Sequence, residues 1–372
     1  MMNDRAVMRV AIVHYWLVGM RGGEKVLEAL CEMHPDADIY THVYDPVAIS
    51  PIINRHRVRT TFISRLPWAL RWYQRYLPLM PLALEQLDLR GYDLVISSES
   101  GPAKGIVVSP DTLHICYCHT PMRYLWDMYH DYLAGAGRVT RWAMRPMMHY
   151  LRMWDLLSAF RVDHFVANSH YVAGRIAKHY RRQSDVVHPP VSVDDFFISD
   201  EIGDYYLMVG QLAAYKRTDI AVEAFNKMGR RLVIIGEGEQ YNSLTRMAAP
   251  NVSLMGRQPF AVIREHYAKC RALIFPGVED FGIVPVEAMA SGRPVIAYRK
   301  GGALETVEEG KTGLFFDAQS ADALIDAVAR YETRAVEFSP TLIRAHAEGF
   351  RVSRFKSEMR SVIDRLMREQ NA

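Results

Sequence analysis

The sequence predicts an α/β protein made of two parallel, doubly wound sheets in tandem, and three observations lead there. Its 372 residues are about twice what one domain ordinarily holds. Short β-branched runs alternate with helix-length stretches, which favours parallel sheets over a sandwich. The alternation pauses at HPPVSVDDFF, His188 to Phe197, whose prolines make a linker, and then begins again. A composition of 49% hydrophobic and 23% charged residues allows a sizeable core and excludes a disordered or collagen-like chain.

Taken in order, MRVAIVH (Met8 to His14) reads as a strand, WLVGMRGG as a glycine-bearing loop, and EKVLEALCEM as a helix with Val26, Leu27, Leu30 and Met33 on one face. Further strands are predicted at Ile39 to Val43, Asp93 to Ser97, Gly105 to Val108, His114 to Cys118 and His164 to Asn168. After the linker they recur at Tyr205 to Val209, Arg231 to Gly236, Val252 to Leu254, Ala272 to Phe275 and Pro294 to Ala297. The last segment carries Val352, Phe355, Met359, Val362, Ile363 and Leu366 at helical spacing. The expected organisation is a Rossmann-like domain over 1–197, a second over 198–350, and a final helix over 351–372 that packs back on the first domain. A ligand cleft is expected where the carboxyl ends of the two sets of strands face each other.

The stretch FPGVEDFGIVPVEAMASGRPVIAY, Phe275 to Tyr298, follows a strand and enters a helix whose first turn holds Pro285, a residue preorganised for that place. Backbone N–H groups of Phe281, Gly282 and Ile283 would sit at the helix N-terminus, where a phosphate is held well. Glu279 and Glu287 stand in the loop and in the helix. By themselves they read equally as a solvated loop acid and an acid offsetting the helix dipole. In GQLAAYKRTD, Gly210 to Asp219, Lys216 and Arg217 are expected at the start of the next helix. Cations there oppose the macrodipole, so an anion between them is one reading and a solvated basic turn the other.

Together these residues resemble the retaining glycosyltransferases of family 4, which have the GT-B fold. The resemblance runs over almost the whole chain: Gly22 and Gly23 after the first strand, His119 after ICYC, Lys216, the pair Glu279 and Glu287, and the final helix. HTPMRYLWDMY, YLPLMPLALEQLDLRGYDLVISS and YKRTDIAVEAFN look more narrowly like bacterial mannosyltransferases of O-antigen or exopolysaccharide assembly. The resemblance implies transfer of a sugar with retention, mannose from GDP-mannose, to a hydroxyl of a polyprenyl-diphosphate-linked glycan. It places Lys216 and the N–H groups of Phe281 to Ile283 on the leaving diphosphate, with Arg217 helping because Gln211 stands where the family usually has an Arg. It further implies that Glu279 orients the sugar hydroxyls, Glu287 holds the ribose, His119 faces the donor sugar, and Gly22 and Gly23 let backbone approach the diphosphate. A sugar-nucleotide epimerase of the same architecture and a non-catalytic two-lobed sugar-binding module are the competing readings.

The net charge of +3 does not suggest nucleic-acid binding, but it is unevenly spread. Residues 55–90 carry +5 and residues 138–182 carry +7, leaving −9 for the rest. In RHRVRTTFISRLPWALRWYQRYLPLMP, Arg65, Arg71 and Arg75 lie among Phe62, Trp68, Trp72, Tyr73 and Tyr76. That segment reads as a docking face for an anionic membrane, or as an amphipathic helix packed on its own sheet with its arginines in water. MMNDRAVMRV carries no signal or transit peptide, and the four cysteines form no disulfide framework. A cytoplasmic protein, peripheral on the inner face of the cytoplasmic membrane, is expected. Neither a metal nor a cofactor is: Cys116, Cys118, His114 and His119 lack the C-x2-C spacing of a zinc site, and Asp36-Ala-Asp38 reads as a turn. The loop with Gly19, Gly22 and Gly23 fits neither the dinucleotide fingerprint nor the P-loop.

Overall fold

The computed structural model describes residues 8–135, 137–370 and 372. The chain divides into two compact units, one of residues up to His188 together with those from Phe355 onward, the other Pro189–Arg354. Each is built on one all-parallel sheet.

The front unit has β1 (Val10–His14), β2 (Asp38–Thr41), β3 (Val58–Thr60), β4 (Leu94–Glu99), β5 (Leu113–Cys118), β6 (His164–Ala167) and β7 (Ser184–Val186), in the order β3-β2-β1-β4-β5-β6-β7. VAIVH and LHICYC are buried throughout, as parallel strands covered on both faces require. The helix Gly22–Met33 follows β1, and its first turn is closed by the Arg21 N–H donating to Glu24 Oε2 at 2.9 Å. Under the sheet, the buried ammonium of Lys104 pairs with Asp155 and lies 3.2 Å from Glu99, while Trp126 Nε1 donates to Asp155 at 2.7 Å. Every charge in that cluster is paired, which a buried lysine needs.

The final helix, Val352–Gln370, buries Phe355, Met359, Ile363 and Leu366. Phe355 meets the Tyr117 ring edge-on at 5.6 Å, Lys356 pairs with Glu32 at 2.6 Å, and Gln370 donates to the Asp111 carbonyl at 3.0 Å.

The back unit has β8 (Tyr205–Val209), β9 (Arg231–Ile235), β10 (Val252–Leu254), β11 (Leu273–Phe275), β12 (Val295–Tyr298) and β13 (Gly313–Phe316), in the order β10-β9-β8-β11-β12-β13. Its apolar core runs from Tyr206 and Leu207 through Phe225, Ile234, Ile274 and Ile296 to Phe316.

One predicted strand is absent. Gly105 to Val108 is irregular, because β4 is already paired with β1 on one side and β5 on the other, so a segment between β4 and β5 has no sheet edge to join. The same segment is held by packing: a Cβ on Gly105 would lie 2.0 Å from the Trp154 ring. Three strands, β3, β7 and β13, are additional to those the sequence predicts.

Candidate active site

In both sheets the chain starts in the middle, runs to one edge, then returns to fill the other side. The strand order therefore reverses between β1 and β4 and between β8 and β11, the places where open α/β sheets leave a crevice at their carboxyl ends.

In the back unit the reversal point is framed by the loop after β8 (210–217) and the loop after β11 (276–282). They touch backbone to backbone at Gly277, where a Cβ would come within 2.8 Å of Lys216 Cα. The second loop is gripped again at Gly302, whose N–H donates to the Glu279 carbonyl at 2.8 Å and whose Cβ would fall 2.3 Å from Phe281 Cα. Only glycine permits either approach. This clamp brings the Lys216 ammonium onto the Glu279 carboxylate, 63 residues away in sequence, in a largely buried ion pair.

The two cations stand at the entrance to the next helix. Lys216 closes a single 3-10 turn, Ala214–Lys216, and Arg217 is the left-handed N-cap of the helix Thr218–Met228 with φ of 52°. Neither lies inside that helix. Arg217 bonds Asp219 through both Nε and Nη2, and Lys216 faces Glu279. Gln211 is exposed in the first loop, its carbonyl accepting from the Ala213 N–H.

The helix Ile283–Ala290 starts behind Gly282, which has φ of 91° and gives no side-chain cap; Phe281 is buried and Pro285 sits in the first turn. Glu287, one turn on, accepts from the buried Tyr267 hydroxyl at 2.8 Å. Burial and the adjacent Glu287 charge push the Tyr267 hydroxyl well above its usual range, so it remains a donor.

In the front unit, His119 follows β5 and its N–H donates to the Glu99 carbonyl at 2.8 Å. Gly23, in the first turn of Gly22–Met33, lies against it: a Cβ there would be 2.5 Å from the Tyr15 hydroxyl and 3.7 Å from His119 Nε2. Burial, with His14 beside it, pushes the His119 imidazole down to about 3, so the ring is neutral at ordinary pH. Among the described residues no group of three or more His, Cys, Asp or Glu is arranged to hold a metal ion. Asp36 lies in a turn and Asp38 opens β2, its carboxylate taken up by Tyr92 and by Arg59 at 3.2 Å.

Sequence reading missed Gly277, Gly302, Tyr267, Ser98, His14 and Glu24. The paired glycines of KGGALE, Gly301 and Gly302, and Gly277 in FPGVED were the linear signals available; Tyr267, Ser98, His14 and Glu24 are hydrogen-bond or charge partners from other strands and helices.

The basic segment 55–90 folds as short turns, not one amphipathic helix: Phe62–Arg65, Ala69–Trp72, Tyr73–Leu79 and Met80–Glu85. Phe62, Trp72, Tyr73 and Tyr76 are half-buried, most of them against a small core of Val43, Ile63, Ala69, Met80 and Ala83. Its outer side exposes Arg65, Arg71 and Arg75 with Trp68, Leu70, Leu79 and Leu82, Trp68 being 67% exposed. The helix Arg138–Ala159 exposes Trp142, Tyr150, Met153 and Leu157 along one side, with Arg138 and Arg145. No helix among the described residues is long and apolar enough to cross a membrane.

Two family models match the chain in succession: Glycosyltransferase Family 4 over residues 20–195, and Glycosyl transferases group 1 over residues 197–343. Among curated relatives, a GDP-mannose-dependent alpha-(1-6)-phosphatidylinositol monomannoside mannosyltransferase of Mycobacterium tuberculosis is 31% identical over 53% of this chain and 61% of its own. An O-antigen chain mannosyltransferase of Salmonella typhimurium is 28% identical over 40% of this chain and 45% of its own. The chain spans about half the length of the curated relatives it matches. Of solved structures, a sucrose-phosphate synthase from Thermosynechococcus elongatus superposes with TM-score 0.71 at 17% identity, covering 98% of this chain and 100% of that one. HepE of Anabaena in complex with UDP gives 0.69 at 15% identity, covering 96% and 100%. At such identities these likenesses bear on the fold alone, two Rossmann-like units of the GT-B kind.

Proposed function

The chain belongs to the glycosyltransferases, with a family 4 front part and a group 1 back part, and on that premise we propose that it is a retaining mannosyltransferase using GDP-mannose. The observation that carries this reading is the Lys216–Glu279 pair, clamped by glycines at the carboxyl ends of β8 and β11 beside the N-terminus of Ile283–Ala290. A leaving diphosphate develops negative charge, and a fixed ammonium beside a helix N-terminus is preorganised to receive it. Lys216 is therefore assigned to the diphosphate, with the backbone of Phe281, Gly282 and Ile283, and with Arg217 and Gln211 nearby in the first loop.

Glu279 has two tasks in this reading: it holds the ammonium in place, and it orients the sugar hydroxyls. Glu287, kept in one orientation by Tyr267, is assigned to the ribose. His119 faces the donor sugar as a neutral ring, and Gly22 and Gly23 admit the diphosphate to the backbone. Mannose and guanine rest on the resemblance and on the names of the mannosyltransferase relatives.

The acceptor is proposed to be a hydroxyl of a polyprenyl-diphosphate-linked glycan in cell-surface polysaccharide assembly. An anionic membrane then serves as the docking surface, on the inner face of the cytoplasmic membrane. What supports it is the pairing of exposed arginines with exposed Trp68, Leu70, Leu79 and Leu82, chemistry suited to headgroups and the interface just below them.

The test is a thermal-shift panel of GDP, UDP, ADP and dTDP, followed by transfer assays with the matching sugar nucleotides. GDP at about a hundred times its Kd is expected to stabilise the protein by about 2.7 kcal/mol. Stabilisation by UDP, ADP or dTDP with none by GDP would overturn the donor assignment.

A further inference from the structure

His119 does not stand alone at the end of β5. Its Nε2 lies 2.9 Å from Ser98 Oγ, and the same oxygen lies 3.0 Å from Nδ1 of His14. Parallel register sets this up, since His14 at the end of β1 is paired with Ser98 on β4. The other nitrogen of His14, Nε2, has no hydrogen-bond partner among the described residues and faces Glu24 Oε1 at 3.7 Å. Glu24 is itself fixed, its second oxygen accepting the Arg21 N–H at 2.9 Å. His14, Ser98 and Glu24 are all buried.

One hydroxyl proton serves two imidazoles here, so the two rings cannot choose their tautomers independently. The choice is made at the Glu24 end. A lone pair on His14 Nε2 would face a carboxylate, so that nitrogen carries the proton. At 3.7 Å the contact is longer than the roughly 2.7–2.9 Å of a charge-assisted hydrogen bond, and the relay that follows is that of a ring carrying this one proton. His14 Nδ1 is then an acceptor, and the Ser98 hydroxyl donates to it. Ser98 Oγ accepts in turn, and His119 Nε2 must carry the proton that it accepts. His119 Nδ1, which makes no hydrogen bond among the described residues, is left as a lone-pair acceptor.

We infer that Glu24, His14 and Ser98 are positioning residues that hold His119 in its Nε2–H tautomer, so that Nδ1 presents an acceptor to a hydroxyl of the bound donor sugar. The relay is a property of the front unit; its use on a sugar rests on the function proposed above. Gly23 belongs to the same device, since a Cβ there would crowd Tyr15 and His119.

Histidine-labelled 15N spectra of the full chain read the tautomer directly through two-bond proton–nitrogen correlations, with His119→Gln assigning the ring. The expected result is the Nε2–H form in the wild type and in Ser98→Thr, with the preference lost in Ser98→Ala. A wild-type ring protonated on Nδ1, or a Ser98→Ala ring unchanged from wild type, would overturn the inference. Kinetics separate it from the wider reading. Ser98→Ala should raise the donor KM about tenfold with kcat less affected, as loss of one oriented acceptor does, and Ser98→Thr should recover it. A lost tautomer preference with unchanged KM would leave the relay standing and remove His119 from the donor sugar.

Discussion

The two units share one strand order and use it for opposite chemistry. In the front unit the reversal point carries a hydrogen-bonded row of His119, Ser98 and His14 beside Gly23, with the His119 ring neutral. In the back unit the corresponding place carries full charges, Lys216 on Glu279 and Arg217 on Asp219. A shared fold supplies only the address at which loops converge; the side chains placed there decide the chemistry. On the function proposed above, the front unit would orient neutral hydroxyls and the back unit would meet a charge that grows during reaction.

The strongest way to break this contrast is to remove the charge. Lys216→Ala and Glu279→Gln are each expected to lower turnover by at least about a hundredfold while circular dichroism remains native, the scale on which preorganised electrostatic groups act. Transfer at the wild-type rate in Lys216→Ala would take the diphosphate away from that ammonium.

A smaller effect concerns charge on the outside of the front unit. With Arg65, Arg71 and Arg75 changed together to Glu, co-sedimentation with anionic vesicles at low salt should fall steeply, because each surface cation contributes about 1 kcal/mol. Raised salt should release the wild type in the same way. Equal binding of both proteins, or of neither, would reject this face as the docking surface.

A further effect is on stability in acid. The front unit buries His42 and His114, whose imidazoles burial pushes down to about 4, as well as His119 at about 3. The back unit has only His266 and His346, both half-buried. On unfolding, the three front-unit rings regain an ordinary value near 6.5 and take up protons the folded state refuses. Their contribution to stability is therefore present above pH about 6.5 and is lost as pH falls toward 4. All six tryptophans, from Trp16 to Trp154, belong to the front unit, so their fluorescence reports its unfolding alone. The urea midpoint read this way should drop between pH 7 and 4.5, and a flat profile would contradict the burial of neutral histidines.

Much of the scaffold was legible from local pattern. Apolar runs such as VAIVH and YYLMV lie in strands because parallel strands are covered on both faces, and Gly229, Pro285 and the heptad-like row Phe355, Met359, Ile363, Leu366 mark helix ends and faces in ways that depend on neighbours in sequence. Lys216, Glu279, Glu287 and His119 were picked out by the resemblance to family 4, because local pattern by itself left the two glutamates and the basic turn open to structural readings.

What tertiary structure alone decided is which groups meet. The sequence by itself determined two tandem parallel sheets and the loops that leave their strand ends, because those depend on periodicities of a few residues. That Lys216 lands on Glu279, that Gly277 and Gly302 clamp the loop between them, and that Ser98 joins two histidines, one of them 84 positions away, follows from parallel pairing. Parallel strands need long crossovers, so their neighbours are always distant in sequence, and no local pattern records who they are.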